Sequence, residues 1–374
     1  MYLGARLFGI FTYLVVLVVF LWLLRQCPRR RTRSVLIAFA VVLVVIAFLY
    51  DPAPESDLFR LRIYSQDFAR FTWPEFFSAM WHRSVGFSST PLSALLMRLS
   101  GLSGIPGLLS ASICAIVFAV VFYLLWRSYM DRRCSNAALA MCLLWFLSAD
   151  FFMPVIATLR SYLAAALVAL CVAREAHRGR TGPVEVVLYV MALLAHSIGI
   201  ALVGIRCAAY LLQPNVTNRR RILCLLAMAA GAVLSYGLYD DILAHSFEKF
   251  LSYTTDPEAY SYVWERVILF LVMAGEYRCW WVLRGSFSVR SPRLAPFYAV
   301  FRLSLVVQTV LCFQFAIFQR MSFFTVLMAL PLVMEYCRTV SGRHRWTINF
   351  YSVSSVLLLV LTCARGYLCS LKFW

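Results

Sequence analysis

Apolar runs long enough to cross a lipid bilayer constrain this chain more than any other feature. Residues 7–24, 34–50 and 105–126 each approach or reach the roughly 20 apolar residues that an α-helix needs to cover a hydrocarbon core about 30 Å thick, and such runs recur as far as residue 370. Of the 374 residues, 62% are hydrophobic and 14% charged, and the mean hydropathy is +0.79. A soluble domain is nearer half apolar and a quarter charged, and its core could not hide this much apolar surface. The sequence therefore predicts an all-α, polytopic integral membrane protein. In the first run the basic residues follow the apolar stretch and a second run comes at once. That is the wrong order for a cleaved signal, so 7–24 is expected to be a retained helix.

The net charge of +18 raises the question of nucleic acid as a partner, and the positions of the charges answer it. Basic residues cluster at 25–33, 127–133, 174–180, 219–221, 284–293 and 338–345, each between apolar runs, as the positive-inside rule expects of cytoplasmic loops. They form no continuous groove interleaved with aromatics, so no nucleic-acid partner is expected. Placing all six clusters inside predicts about twelve spans, eleven to thirteen, within a single transmembrane domain over 1–374. The same path predicts external loops at 51–104 and 240–262, short external turns at 149–154 and 314–320, and an interfacial helix near 91–102.

One stretch breaks the parity. Residues 184–213 are long for one span and short for two; a tight hairpin near His196-Ser197 is the expectation, with one long tilted helix as the alternative.

Twelve cysteines are present, mostly inside apolar runs or beside basic loops, and none shows CxxC spacing. Neither a disulfide framework nor a metal site is expected from them. The sequon at Asn215 falls in an expected cytoplasmic loop and is discounted. No Walker loop, HExxH, GxSxG or dinucleotide fingerprint is present, so the usual marks of ATP-driven transport and of metalloprotease or serine hydrolase chemistry are missing.

The residues that can carry chemistry lie on the side expected to face outward. Arg160 is expected a few residues into a span starting near Val155, where a cation costs on the order of 2.5 kcal/mol or more unless paired or solvated. It could snorkel to the interface, but its planar fork also suits a diphosphate, gripped bidentately. His196 stands inside an apolar run, either satisfied by a nearby carbonyl or serving as proton carrier or phosphate ligand. Arg320 sits at an outer end where the charge rule gives no reason for it, as an anchor or a ligand group. Arg266 follows Glu265 at the start of a span, where local charge pairing is the plain explanation. Lys249, Tyr253 and Tyr260 give the second loop a cationic and aromatic character suited to phosphates and sugar faces. Asp57, Arg60, Arg160, His196, Lys249 and Arg320 are far apart in sequence yet are all assigned to one side.

At these residues the chain resembles the EpsG family of Wzy-like exopolysaccharide and capsule polymerases. The order of landmarks carries the resemblance: Ser56-Asp57-Leu58-Phe59-Arg60 with Tyr64 after the second span; Leu159-Arg160-Ser161-Tyr162 opening a small-residue helix; His196-Ser197; Lys249-Phe250-Leu251-Ser252-Tyr253; and a late Arg320. It covers roughly residues 35–340 through short motifs. One departure is the family's Gly-x-Glu-Pro-like element, which reads Val85-Gly86-Phe87-Ser88-Ser89-Thr90-Pro91 here, without the glutamate.

The resemblance implies a GT-C-like polymerase architecture in the cytoplasmic membrane, with its active site facing outward. It implies a metal-independent glycosyltransferase without cofactor that joins polyprenyl-diphosphate-linked oligosaccharide repeat units for capsule, exopolysaccharide or O-antigen. Membrane lipid, and a flippase and chain-length regulator of the same pathway, are the partners it implies. Arg160 and Arg320 would hold the diphosphate, with Arg60, Lys249, Tyr253 and Arg266 lining the substrate, and His196 or Asp57 taking the proton. Two other readings compete: a flippase or transporter of the same lipid-linked saccharide, with its basic residues along a path through the bilayer, and a lipid-phosphate-sugar glycosyltransferase using acidic residues of the first loop, here Asp51, Glu55 and Asp57.

Overall fold

The computed structural model describes residues 2–54, 56–81, 90–132, 134–212, 262–284, 293–340 and 345–373, with isolated positions between 217 and 225 and at 291. Among the described residues the chain is all-helical, apart from one isolated antiparallel bridge between Tyr50 and Phe373. The helices are α1 (Tyr2–Gln26), α2 (Thr32–Leu49), α3 (Asp57–Arg70), α4 (Trp73–Trp81), α5 (Pro91–Leu102), α6 (Leu108–Arg132), α7 (Asn136–Ser148), α8 (Phe152–Ala157), α9 (Arg160–Arg178), α10 (Pro183–Ala195), α11 (Ile198–Leu211), α12 (Val263–Leu283), α13 (Ala295–Val310), α14 (Phe315–Val340) and α15 (Arg345–Arg365). By length and composition α1, α2, α6 and α14 are able to cross a membrane, and several shorter apolar helices accompany them. This is a membrane-embedded helical protein.

Local signals account for the helix ends. Ser56 and Ser135 cap α3 and α7 by accepting from the Phe59 and Ala138 amides, satisfying donors that a helix start leaves open. Pro91 and Pro183 open α5 and α10, where a missing N–H costs nothing. Gly179 ends α9 in the left-handed region, at φ +68°.

Burial separates core from periphery. In α14, 89% of the most apolar stretch is buried, against 22% in α1. The outer face of α1 instead exposes Leu7, Phe8, Phe11, Val18 and Trp22, as a lipid-facing helix does. Around α14 pack α6, α7, α9, α12 and α13.

Among the described residues, four of the basic segments meet at one end. Asp131 at the end of α6 holds His177 of α9 at 3.2 Å and Arg293 at 3.5 Å, and Arg29 donates to the Tyr129 carbonyl at 3.2 Å. Arg174 and Arg178 engage Glu185 at the start of α10. At the opposite end of the bundle, the end of α15 and the chain after it close on two turns: Lys372 pairs with Asp51 at 2.7 Å, the Leu368 amide donates to Asp150, and Thr362 Oγ1 donates to the Ser148 carbonyl. With 19 residues, α9 separates the two ends by about 28 Å, close to a bilayer core.

The stretch 184–213 is two helices meeting at His196-Ser197, and it doubles back on itself. A Cβ on Gly199 would sit 2.3 Å from the Ala192 carbonyl oxygen, so the two helices approach too closely for any side chain there. Arg206 lies beside Tyr189, the register of an antiparallel hairpin. The segment 51–104, expected as a loop around one helix, carries three helices among its described residues, α3, α4 and α5. Among them α5 occupies the residues expected of the interfacial helix. Arg98 of α5 is buried, donates to the Phe68 carbonyl at 2.5 Å and the Phe71 carbonyl at 2.7 Å, and stacks 4.3 Å from the Trp73 ring centroid.

Candidate functional site

The apolar run that the sequence reads as one span from Val155 is interrupted. Helix α8 ends at Ala157, Thr158 Oγ1 donates to the Pro154 carbonyl at 2.8 Å, and Leu159 adopts φ +31° before α9 begins at Arg160. Arg160 is thus the first residue of α9 and not a few residues into a span. A positive φ at a non-glycine residue costs of order 1–3 kcal/mol; Leu159 is fully buried, so packing holds it there.

Among the described residues no side chain caps α9. Arg160 is therefore the first residue of a helix whose open amides and positive dipole end favour an anion. Ser161, the next residue, is buried, and its Oγ has no hydrogen-bond partner among the described residues.

Around this helix start the fold gathers residues from three distant elements. The Arg160 guanidinium, half-buried, interacts through space with Asp57, Arg60 and Tyr64 of α3 and with Arg320 of α14. Asp57 and Arg60 pair at 2.5 Å on the exposed face of α3. Tyr162, in the first turn of α9 and buried, interacts through space with Arg320 and Asp150 and lies beside Thr158. Arg320 falls in the second turn of α14, which begins at Phe315, and not at the end of the preceding apolar run. The arrangement is a cluster of three guanidiniums with two carboxylates and two phenols, suited to a polyanionic group with a polar neighbour.

Arg266 approaches from α12: its guanidinium lies 6.0 Å from the Phe315 ring, at the start of the helix that carries Arg320. The local pairing expected with Glu265 is not found among the described residues. Glu265 Oε2 and Arg266 Nε are buried with no hydrogen-bond partner there, because successive helical residues do not face each other.

His196 sits at the tip of the α10–α11 hairpin, where its Nδ1 accepts from the Ile198 amide at 3.1 Å. Beside it Ser93 of α5 donates to the Ala195 carbonyl at 2.7 Å, so the tip is docked on the α3–α5 module. With Nδ1 accepting, the neutral ring carries its proton on Nε2. Lys249 and Tyr253 lie outside the described residues, as does the rest of the loop 240–262 except Tyr262.

Asp150 is the residue that sequence reasoning missed. It is buried at φ +57° in the turn between α7 and α8, and its Oδ1 accepts from the Leu368 amide at 3.2 Å. The available signal was a lone acid between apolar runs, of a type that tolerates positive φ.

Comparison with known proteins finds no matching family model, no matching curated protein and no matching solved structure.

Proposed function

We propose that the chain is a polysaccharide polymerase of the Wzy-like kind, with about twelve spans in a GT-C-like arrangement and a site on the outward side of the cytoplasmic membrane. In this reaction the bond between a sugar C1 and the diphosphate oxygen of a polyprenyl-linked chain breaks. A glycosidic bond forms to a hydroxyl of an incoming lipid-linked repeat unit, and the hydroxyl proton leaves to a base. The observation that carries the reading is the convergence of Arg160, Arg320 and Arg60 at one helix start, because the leaving group is a diphosphate and needs cations as it departs. Arg160 and Arg320 hold the diphosphate in this reading, with Arg60 and Arg266 at its edge and Lys249 and Tyr253 contributed by the second external loop. Asp57 takes the proton, and His196, with its proton on Nε2, suits a donor to phosphate or hydroxyl better than a base.

Fixed guanidiniums supply the charge that a metal ion would otherwise supply, and no cofactor is invoked. The resemblance to EpsG-like polymerases and the end-to-end separation of basic segments from this cluster support the outward assignment. One observation favours the transport reading as the second: Glu276 of α12 is fully buried within an apolar helix and accepts from Gln308 Nε2 at 2.8 Å, and Gln308 also donates to Ser322 at 2.9 Å. Intramembrane polar groups of this kind mark ion or substrate paths in transporters.

The deciding experiment is polymer length in a deletion strain complemented with Arg160→Ala or Arg160→Lys, read with membrane abundance. If the fork grips a diphosphate, both variants lose about a hundredfold in rate at normal abundance, because a point charge cannot replace two parallel hydrogen bonds. Long polymer from a normally abundant Arg160→Ala strain sinks the assignment. Accumulation of unpolymerised repeat unit on the inner side would point to transport.

A further inference from the structure

Helices α2 and α6 pack directly against each other, yet a groove of about 670 Å³ opens along their shared outer face. The cause is small residues: Ala40 on α2, and Ala115 and Ala119 on α6, line it where larger side chains would fill the space. Its walls are apolar from Leu36 to Val45 on one side and from Ala115 to Trp126 on the other. At one end only, the lining is charged: Arg33 opens the groove on α2 and Arg127 on α6, both exposed. That is the basic end of the bundle, the end that also carries Arg29 over the Tyr129 ring at 4.8 Å. Asp131, a carboxylate at this end, is already held by His177 and Arg293.

We propose that this groove binds an anionic phospholipid of the leaflet at the basic end, with its phosphate between Arg33 and Arg127 and one acyl chain along the alanine floor. Length selects the occupant. Arg33 to Val45 is about 18 Å along a helix, slightly more than the ~15 Å half-thickness of a bilayer core, so a groove that begins at the headgroup level runs to near the midplane. A phospholipid acyl chain is one leaflet long and matches this length, whereas a polyprenyl chain would extend well past it. Charge selects the headgroup. Two exposed guanidiniums favour a lipid with net negative charge over a zwitterion, whose own cation would face them, and Trp126 at the same level suits the interface. The site is at the opposite end of the bundle from Arg160 and does not depend on the polymerase reading.

The test uses the full chain purified in detergent and stripped of lipid, titrated with phosphatidylglycerol, phosphatidylcholine or glycerol 3-phosphate and followed by native mass spectrometry. The expected result is phosphatidylglycerol binding at least about tenfold tighter than phosphatidylcholine, with no retention of glycerol 3-phosphate. Arg33→Gln combined with Arg127→Gln is expected to abolish the preference while leaving chain binding. Ala119→Phe, which fills the floor, is expected to weaken both lipids. Should Ala119→Phe fail to fold, the arginine pair still decides, since both side chains are exposed. Equal affinity for the two lipids in the unaltered protein, a preference that survives loss of both arginines, or glycerol 3-phosphate binding as well as the lipid would each overturn the proposal.

Discussion

Arg206 and Glu175 meet where α11 crosses α9: the guanidinium Nε and Nη2 both reach Glu175 Oε2, at 2.8 and 2.7 Å, while Thr181 Oγ1 donates to Oε1 at 2.7 Å. Both side chains are almost out of solvent, so the pair is tied to the fold at every oxygen. Removing one partner strands a buried charge, at a cost of about 3–5 kcal/mol. Arg206→Ala and Glu175→Ala are each expected to lower the thermal unfolding temperature in detergent sharply. Glu175→Leu with Arg206→Met should be milder than either. A double variant as unstable as the sum of the singles would show that the pair is not coupled.

Gly101 sets the distance between α3 and α5. A Cβ there would lie 1.9 Å from the Ser65 carbonyl oxygen, and Ser65 Oγ itself donates to the Met97 carbonyl at 2.5 Å. Gly101→Ala must push the two helices apart, with an expected loss of about 1–3 kcal/mol. Faster limited proteolysis within 57–102, at unchanged cleavage elsewhere, is the readout.

Arg98 fastens the same module by a different means. Arg98→Met removes the guanidinium from over the Trp73 ring and orphans the Phe68 and Phe71 carbonyls, each orphaned carbonyl costing about 1–3 kcal/mol. Arg98→Lys is expected to recover only part of this, since one ammonium cannot span both acceptors as the fork does. Thermal unfolding of the two variants side by side gives the order.

Asp150→Asn separates charge from shape at the outer turn. Asparagine tolerates the positive φ and still accepts from the Leu368 amide, so the unfolding temperature should hardly move. On the proposed polymerase reading, a carboxylate that acts through Tyr162 is expected to show as shorter polymer at unchanged abundance. Asp150→Ala, which loses acceptor and backbone preference together, should be less stable by about 1–3 kcal/mol.

Sidedness can be read by labelling. In a background without native cysteines, Phe59→Cys and Arg293→Cys are both exposed positions at opposite ends of the bundle. An impermeant thiol reagent added to intact cells is expected to label the first and spare the second. The reverse pattern would place the Arg160 cluster inside.

Much of this architecture is legible in the sequence because hydropathy and charge act on whole segments. The hairpin at His196 follows from parity between basic clusters, and the meeting of Asp57, Arg60, Arg160 and Arg320 follows from assigning loops to sides. The break before Arg160 is not legible in the same way. Residues 151–159 are apolar whether or not they run straight, and the interruption rests on one buried residue, Leu159, in an unusual backbone conformation that tertiary packing imposes. Arg98 reads as another surface cation, since nothing local announces that two carbonyls of a neighbouring helix end await it. The helices of 57–102 carry mixed polarity, so a scan for bilayer-length apolar runs passes over them.

The strap that follows α15 also bears on how the protein is made. The amide that donates to Asp150 belongs to Leu368, and the cation that meets Asp51 belongs to Lys372, so two turns formed early in synthesis wait for partners that leave the ribosome hundreds of residues later. A chain truncated after residue 365 would keep α15 and still lack the contacts that fasten these two turns.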